Sequence, residues 1–314
     1  MAAATDLDYH AALRKEAMQL ETGAAVVSPI VREISPSTYL ELAKARLSAL
    51  VVVTAIVGFL VAARGTIDFV TLLATTLGTA LAAGGANGLN QVLEAGRDAL
   101  MERTKTRPLP SGRMTPRHAL LASGALAATG VGILLAIVGP LPAALCATAL
   151  ALYVLVYTPL KTRSTLCTLV GAVVGAIPPM IGWSAASGSL DVGAWLLAGI
   201  LFVWQIPHFL ALAWLYREDY ERGGFRMLPL VDPTGRTTCW MALLYSLALI
   251  PLGLAVSATG LAGTPFAVGS ALLGAAMVLA SAWLLARRRR VDARRVFLAS
   301  LVYLPALLIL MVVG

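Results

Sequence analysis

Charge is what this 314-residue sequence has least of: 24 Lys and Arg with 16 Asp and Glu make 13% charged residues, about half the roughly 25% of soluble domains. Hydrophobic residues reach 59% and mean hydropathy +0.82, more apolar surface than one soluble core of this size can hide. A water-soluble globule is thereby excluded. Cysteine is scarce too. Cys146, Cys167 and Cys239 stand far apart, with no Cys-x-x-Cys and no Cys/His ligand spacing. Neither a disulfide framework nor a zinc site is written here, and the three read as small apolar packing residues. The first 39 residues lack a signal-peptide apolar run, and Asp6, Asp8, Glu16, Glu21 and Glu33 argue against an acid-poor transit peptide. Residues 1–39 are expected to form a mostly disordered cytoplasmic tail, with room for a short helix over 11–20.

What the sequence does have is a series of apolar runs. About 20 residues cross a bilayer core, and nine stretches qualify: 42–63, 69–93, 116–138, 141–158, 165–187, 192–215, 237–258, 265–286 and 295–313. Pro178, Pro179 and Pro207 fall inside the fifth and sixth; such breaks are tolerated where a bundle lines a cavity. The expectation is an all-α membrane protein whose nine-helix domain fills 40–314, with the lipid bilayer as its solvent.

The net charge of +8 does not point to nucleic acid, because the bases interrupt apolar runs instead of covering one face of a soluble domain. Sorted by loop, every Lys and Arg but Arg64 falls on one side of the nine spans. The positive-inside rule then puts the N-terminus in the cytoplasm and the C-terminus outside. Polar chemistry belongs to the cytoplasmic face, where two long loops, about 94–115 and 216–236, carry charges of both signs.

Asn90, Glu94 and Asp98 end the second span at spacings of four, so on a helix each step drifts only about 40° and the three share a face. Stacked oxygens of this kind repel one another unless a cation sits among them. Mg²⁺ suits them, since it takes one or two carboxylates and completes its shell with waters and substrate phosphate oxygens. The alternative is a solvated helix end in which Glu94 and Asp98 pair with Arg97 and Arg103. Beyond the acids come Arg103, Lys105, Arg107 and Arg113, cations of the sort that grip phosphate oxygens. Topology accounts for their sign but not for the acids beside them. The second loop repeats the mixture around Arg217 and Asp219. If the loops face each other over the bundle mouth, they cradle a diphosphate while its apolar tail drops into the bundle.

At these residues the sequence resembles the heme-farnesylating (heme O synthase) branch of the UbiA superfamily of intramembrane prenyltransferases. The resemblance is carried by NQVLEAGRDALMERTKTRPLPSGRM (90–114), YTPLKTRSTLCTLVGAVVGAIPPMIGW (157–183), VWQIPHFLALAWLYREDYERGGFRMLPLV (203–231) and ARRVFLASLVYLPALL (293–308). It spans nearly everything from about residue 39 onward. Asn90-x3-Glu94-x3-Asp98 matches the superfamily's first motif in its heme-type form. The second motif departs: Asp219 is followed at the usual spacing by Gly223, which weakens a symmetric two-metal site and leaves Glu218 and Glu221 as helpers of uncertain weight.

The resemblance implies a UbiA-type bundle with a cytoplasm-facing central cavity in a bacterial inner membrane. It implies transfer of a farnesyl group from farnesyl diphosphate to a vinyl group of heme b, completed by water, to give heme O, with heme A synthase as a partner in the pathway. It assigns Asn90, Glu94, Asp98 and Asp219 to Mg²⁺. Arg103, Lys105, Arg107, Lys161, Arg163 and Arg217 go to diphosphate, joined by Lys44 and Arg46 at the start of the first span. His208 sits in mid-span after Pro207, and an imidazole at that depth reads as functional. It is expected to bind heme, as an axial ligand or through a propionate; the alternative is a core histidine bonded to a carbonyl freed by the proline. Trp183 and Trp204 either wall the acceptor or pack. A relative using an aromatic quinone-precursor acceptor would show Asp at the middle of the first motif and a second Asp-x3-Asp. A transporter would show charges deep in several spans or internal repeats. The sequence has none of these. A purely structural assembly factor would leave the aligned acids and their cations unexplained.

Overall fold

A computed structural model describes residues 34–313; the tail readings for 1–33, the short helix over 11–20 among them, lie outside the described residues. The regular structure of the described residues is all helical, with no strand among them. A short helix α1 (Pro36–Leu42) leads into α2 (Ala45–Ala63) and α3 (Phe69–Asp98). Next come α4 (Pro116–Val138), α5 (Pro140–Leu160), α6 (Cys167–Ser187) and α7 (Val192–Leu215). Two short helices, α8 (Arg217–Arg222) and α9 (Leu228–Val231), precede α10 (Arg236–Ala258), α11 (Thr264–Arg287) and α12 (Arg290–Val313). Among the described residues nine helices, α2 to α7 and α10 to α12, are long and apolar enough to cross a membrane, and they coincide with the nine runs read from sequence. Three edges differ. Lys44 adopts a left-handed φ of 46°, which breaks the first run into α1 and α2; α3 runs on past residue 93 to Asp98; and α12 begins at Arg290, so Arg294 and Arg295 belong to its first turns.

The helices pack closely where side chains are smallest. A Cβ on Gly58 of α2 would overlap the Pro179 carbonyl of α6, and one on Gly182 of α6 would overlap the Ala55 carbonyl of α2. Small residues let membrane helices approach through dispersion contacts, the main attraction left when the solvent is itself apolar. The largest apolar cluster joins α7, α10, α11 and α12 around Trp204, Leu249, Phe266, Met277 and Tyr303. Large hydrophobics such as Phe69, Leu155 and Leu272 remain exposed on the outer faces, as expected of helices solvated by lipid.

The loops at the charged end are tied to one another. The Arg226 amide donates to the Lys161 carbonyl at 2.7 Å, and the Glu102 amide donates to Asp219 Oδ1 at 3.2 Å. Arg288 and Arg290 donate to the carbonyls of Thr234 and Leu215 at 3.3 Å each. Among the described residues this end holds every Lys and Arg except Arg64.

Candidate active site

The charged end is built on α3. Asp68 caps its start by accepting from the Val70 and Thr71 amides, and from there the helix runs 30 residues to Asp98. That regularity sets Asn90, Glu94 and Asp98 on one face, where they are 0%, 5% and 1% exposed. Each meets one cation, and the three cations come from three different segments. Lys44 Nζ donates to Asn90 Oδ1 at 2.8 Å. Lys161 Nζ donates to both carboxylate oxygens of Glu94, at 2.8 and 3.1 Å. Arg107 Nη1 donates to Asp98 Oδ2 at 2.7 Å. Buried charges require such partners.

These are not the partners that sequence spacing offered. Arg97 donates instead to the Gly223 carbonyl at 3.0 Å, and Arg103 lies over the rings of Tyr216 and Tyr220, 5.0 and 5.7 Å from their centroids. Lys161 and Lys44 reach the motif from other helices' ends, where distance along the chain gives no signal. Burial works against the Lys161 charge, but the Glu94 carboxylate outweighs it and holds the ammonium above its ordinary value. Lys44 is pushed down to about 7 by burial, with Arg107 and Lys161 adding repulsion. Its left-handed backbone, uncommon for any residue but glycine, sits directly beside its contact with Asn90.

One oxygen of the cluster remains unpaired: Asp98 Oδ1 is buried without a hydrogen-bond partner. An orphaned carboxylate oxygen, with Glu94 one turn away, fits a hard divalent cation. Among the described residues no three His, Cys, Asp or Glu side chains gather into a ready-made cage, so protein ligands alone would leave most of a Mg²⁺ shell to water and phosphate oxygens.

Asp219, the fourth expected metal ligand, lies apart from that group on α8. It is buried, and its Oδ1 accepts from the Glu102 amide and from Arg222. The two acidic loops therefore do face each other. Asp219 fastens the second to the backbone of the first. Of the remaining cations, Lys105 pairs with Glu102 in an exposed contact. Arg46, Arg163 and Arg217 are exposed, as are Glu218 and Glu221.

Below the cluster lies a cavity of about 230 Å³ between α2, α3, α5, α6 and α7. Its walls are mostly apolar, including Leu47, Val51, Ala83, Leu150, Val174 and Ile181. Its upper rim is polar. Asn87 Nδ2 donates to Ser48 Oγ at 3.0 Å, and Tyr153 donates to Asn87 Oδ1 at 3.2 Å. Tyr157, which also lines the cavity, places its ring 4.7 Å from Lys161 Nζ. The apolar space thus begins where the charged cluster ends.

Sequence reasoning missed this rim. Residues 152–157 of α5 form a π-type turn, a feature that recurs at functional sites, and it brings the rings of Tyr153 and Tyr157 to 5.3 Å at 24°. The signal was a Tyr-x3-Tyr pair near a span end, indistinguishable in sequence from interfacial aromatics.

His208 falls outside the cavity, although its neighbours Gln205 and Phe209 line it. Its Nδ1 is 2.8 Å from Ser300 Oγ on α12, and its ring stacks against Trp204 and Phe297 at 5.2 and 5.0 Å. The partner is a hydroxyl of a neighbouring helix, and the heme-binding expectation gains no geometric support. Trp183 and Trp204 pack in the core beside α12 and wall no part of the cavity.

The UbiA prenyltransferase family matches residues 51–304. A protoheme IX farnesyltransferase from Salinibacter ruber is 43% identical over 275 residues, covering 88% of this chain and 97% of the relative. A mitochondrial protoheme IX farnesyltransferase from Arabidopsis thaliana is 44% identical over 269 residues, 85% of this chain, which spans 62% of that longer relative. Among solved structures, a UbiA homologue from Archaeoglobus fulgidus bound to GPP and Mg²⁺ superposes with a TM-score of 0.65 at 14% identity, covering 88% of this chain and 100% of the homologue. Fold, motif and sequence converge: this chain belongs to the UbiA prenyltransferase family.

Proposed function

We propose that this chain farnesylates heme b: farnesyl diphosphate and water react at a heme vinyl group to give heme O and diphosphate. The observation that carries the reading is the junction of two environments. Three buried motif residues, each held by a cation, stand directly above an apolar cavity rimmed by two tyrosines. Relatives named for this reaction, aligned over most of the chain, support the choice of substrates.

Asn90, Glu94 and Asp98 would hold Mg²⁺, with Asp219 contributing from the facing loop. Mg²⁺ bound there supplies Lewis-acid charge to the departing diphosphate. Lys161 and Arg107, with Arg103 beside them, present fixed positive charge to the same oxygens, where preorganised charge lowers the barrier most, and Lys44 adds its charge when protonated. Arg46, Lys105, Arg163 and Arg217 form an outer ring that draws the anion in. The allylic C–O bond breaks with its electron pair leaving on diphosphate. Tyr153 and Tyr157 set their π-faces at the mouth of the cavity, where an electron-poor farnesyl carbon is attracted and apolar walls exclude stray water. The vinyl group forms the new carbon–carbon bond. Water then adds to the adjacent carbon and gives up one proton, leaving a hydroxyethylfarnesyl side chain. On this reading the mouth opens at the cytoplasmic face of a bacterial inner membrane, an orientation supported by the one-sided Lys and Arg loops, and the product is the kind of heme that a partner heme A synthase would consume.

Purified protein given heme b, farnesyl diphosphate and Mg²⁺ is expected to yield a heme heavier than heme b by one farnesyl and one hydroxyl group. Absence of that product from folded protein that binds farnesyl diphosphate would overturn the reading.

A further inference from the structure

Away from the site, the turn between α11 and α12 concentrates charge of one sign. Residues 287–295 contain six arginines and one acid. All six are exposed, whereas Asp292 is completely buried. Sorting of charge across a membrane explains why this loop is basic. It does not explain a quarter of the chain's cations in nine residues, all of them arginine, or the way they are held.

The turn is organised to present them. Arg288 takes a left-handed φ of 52°, which costs a non-glycine residue energy and leaves only two residues between the end of α11 and the start of α12. Asp292 receives Arg295 at 2.8 Å and Arg289 at 3.5 Å, so one buried acid anchors two exposed guanidinium groups from beneath. Arg288 and Arg290 are spent on the Thr234 and Leu215 carbonyls. Trp283, half exposed near the end of α11, lies under Arg287 and Arg295, whose guanidinium carbons are 5.7 and 5.3 Å from its ring. Arg294 makes no hydrogen bond or ion pair with the described residues.

We propose that this arginine turn is a binding site for the phosphodiester headgroup of an anionic membrane lipid. The occupant follows from place and chemistry. The turn joins the ends of two membrane-crossing helices, the level at which lipid phosphates lie, and an exposed tryptophan is the side chain most at home there. Guanidinium forks match phosphate oxygens in pairs, and clustered arginines beside a span attract anionic headgroups with an energy that adds per residue. The bond from Arg290 to Leu215 ends α7 one residue before α8, the helix that bears Asp219, so a lipid on this turn also steadies the second acidic loop.

Native mass spectrometry of the detergent-purified full chain, titrated with phosphatidylglycerol or phosphatidylcholine, reads the site directly. The parent is expected to retain phosphatidylglycerol more tightly than phosphatidylcholine. Arg287→Gln with Arg294→Gln leaves the Asp292 pairs and both carbonyl contacts intact and is expected to weaken the phosphatidylglycerol complex about fivefold for each arginine removed. Arg64→Gln at the opposite end should change nothing, and the paired Lys replacements should keep most of the binding. Equal retention of the two lipids, or undiminished phosphatidylglycerol binding by the double Gln variant with an unaltered melting temperature, would overturn the proposal. So would saturation of the turn by inorganic phosphate alone, which would make it a free-anion site.

Discussion

The two acidic loops look alike in sequence and differ in construction. The first offers its ligands from one face of a 30-residue helix, where Asn90, Glu94 and Asp98 are each balanced by a cation from elsewhere and one carboxylate oxygen is left unpaired. The second offers Asp219 from a six-residue helix, with its oxygen already shared between Arg222 and the Glu102 amide. A long, packed helix holds atoms to the tolerance that chemistry requires. A short one tied to a neighbouring loop holds the loop. On the proposed reading, the first loop supplies the reacting charge and the second is fastened against it.

Four substitutions test that contrast. Asp98→Asn, which removes charge at the unpaired oxygen, should lower kcat by about 10²–10³ while the protein still folds. Lys161→Gln leaves Glu94 buried without its partner, and a loss of about 10–100-fold is expected, the range for groups that support a ligand. Asp219→Asn keeps an oxygen for the Glu102 amide but loses the ion pair. It should cost about tenfold, raise KM for the diphosphate substrate, and speed amide exchange at Glu102; a kcat loss matching that of Asp98→Asn would erase the distinction between the loops. Lys105→Gln removes an exposed pair that is worth at most about 1 kcal/mol and should give the smallest loss. All four are read by steady-state product formation, with melting temperature as the fold control.

Much of this contrast was legible beforehand, and the reasons are physical. The nine runs were visible because apolar length is a strong signal in lipid, and the shared face of Asn90, Glu94 and Asp98 followed from helical periodicity alone. Their common side allowed the two loops to face each other without requiring it, and the Glu102–Asp219 contact shows that they do. What periodicity does not encode is which distant cation meets which acid: Lys44 and Lys161 lie 46 and 67 residues from their partners. The tyrosine rim depends on a local π-type turn that Leu152 to Tyr157 do not announce. His208 shows what depth alone leaves open. Its position in mid-span made it look functional, and its direction around α7 turns it toward Ser300, one residue short of Phe209 and three past Gln205, both of which line the cavity.

The most direct test of the central claim is Mn²⁺ binding followed by electron paramagnetic resonance, in the presence of a non-reactive thio analogue of farnesyl diphosphate. The account predicts that the parent binds Mn²⁺ only with the analogue present, that Asp98→Asn abolishes the bound signal, and that Asp219→Asn weakens it. An unchanged signal in Asp98→Asn would contradict the assignment of the metal to the α3 face.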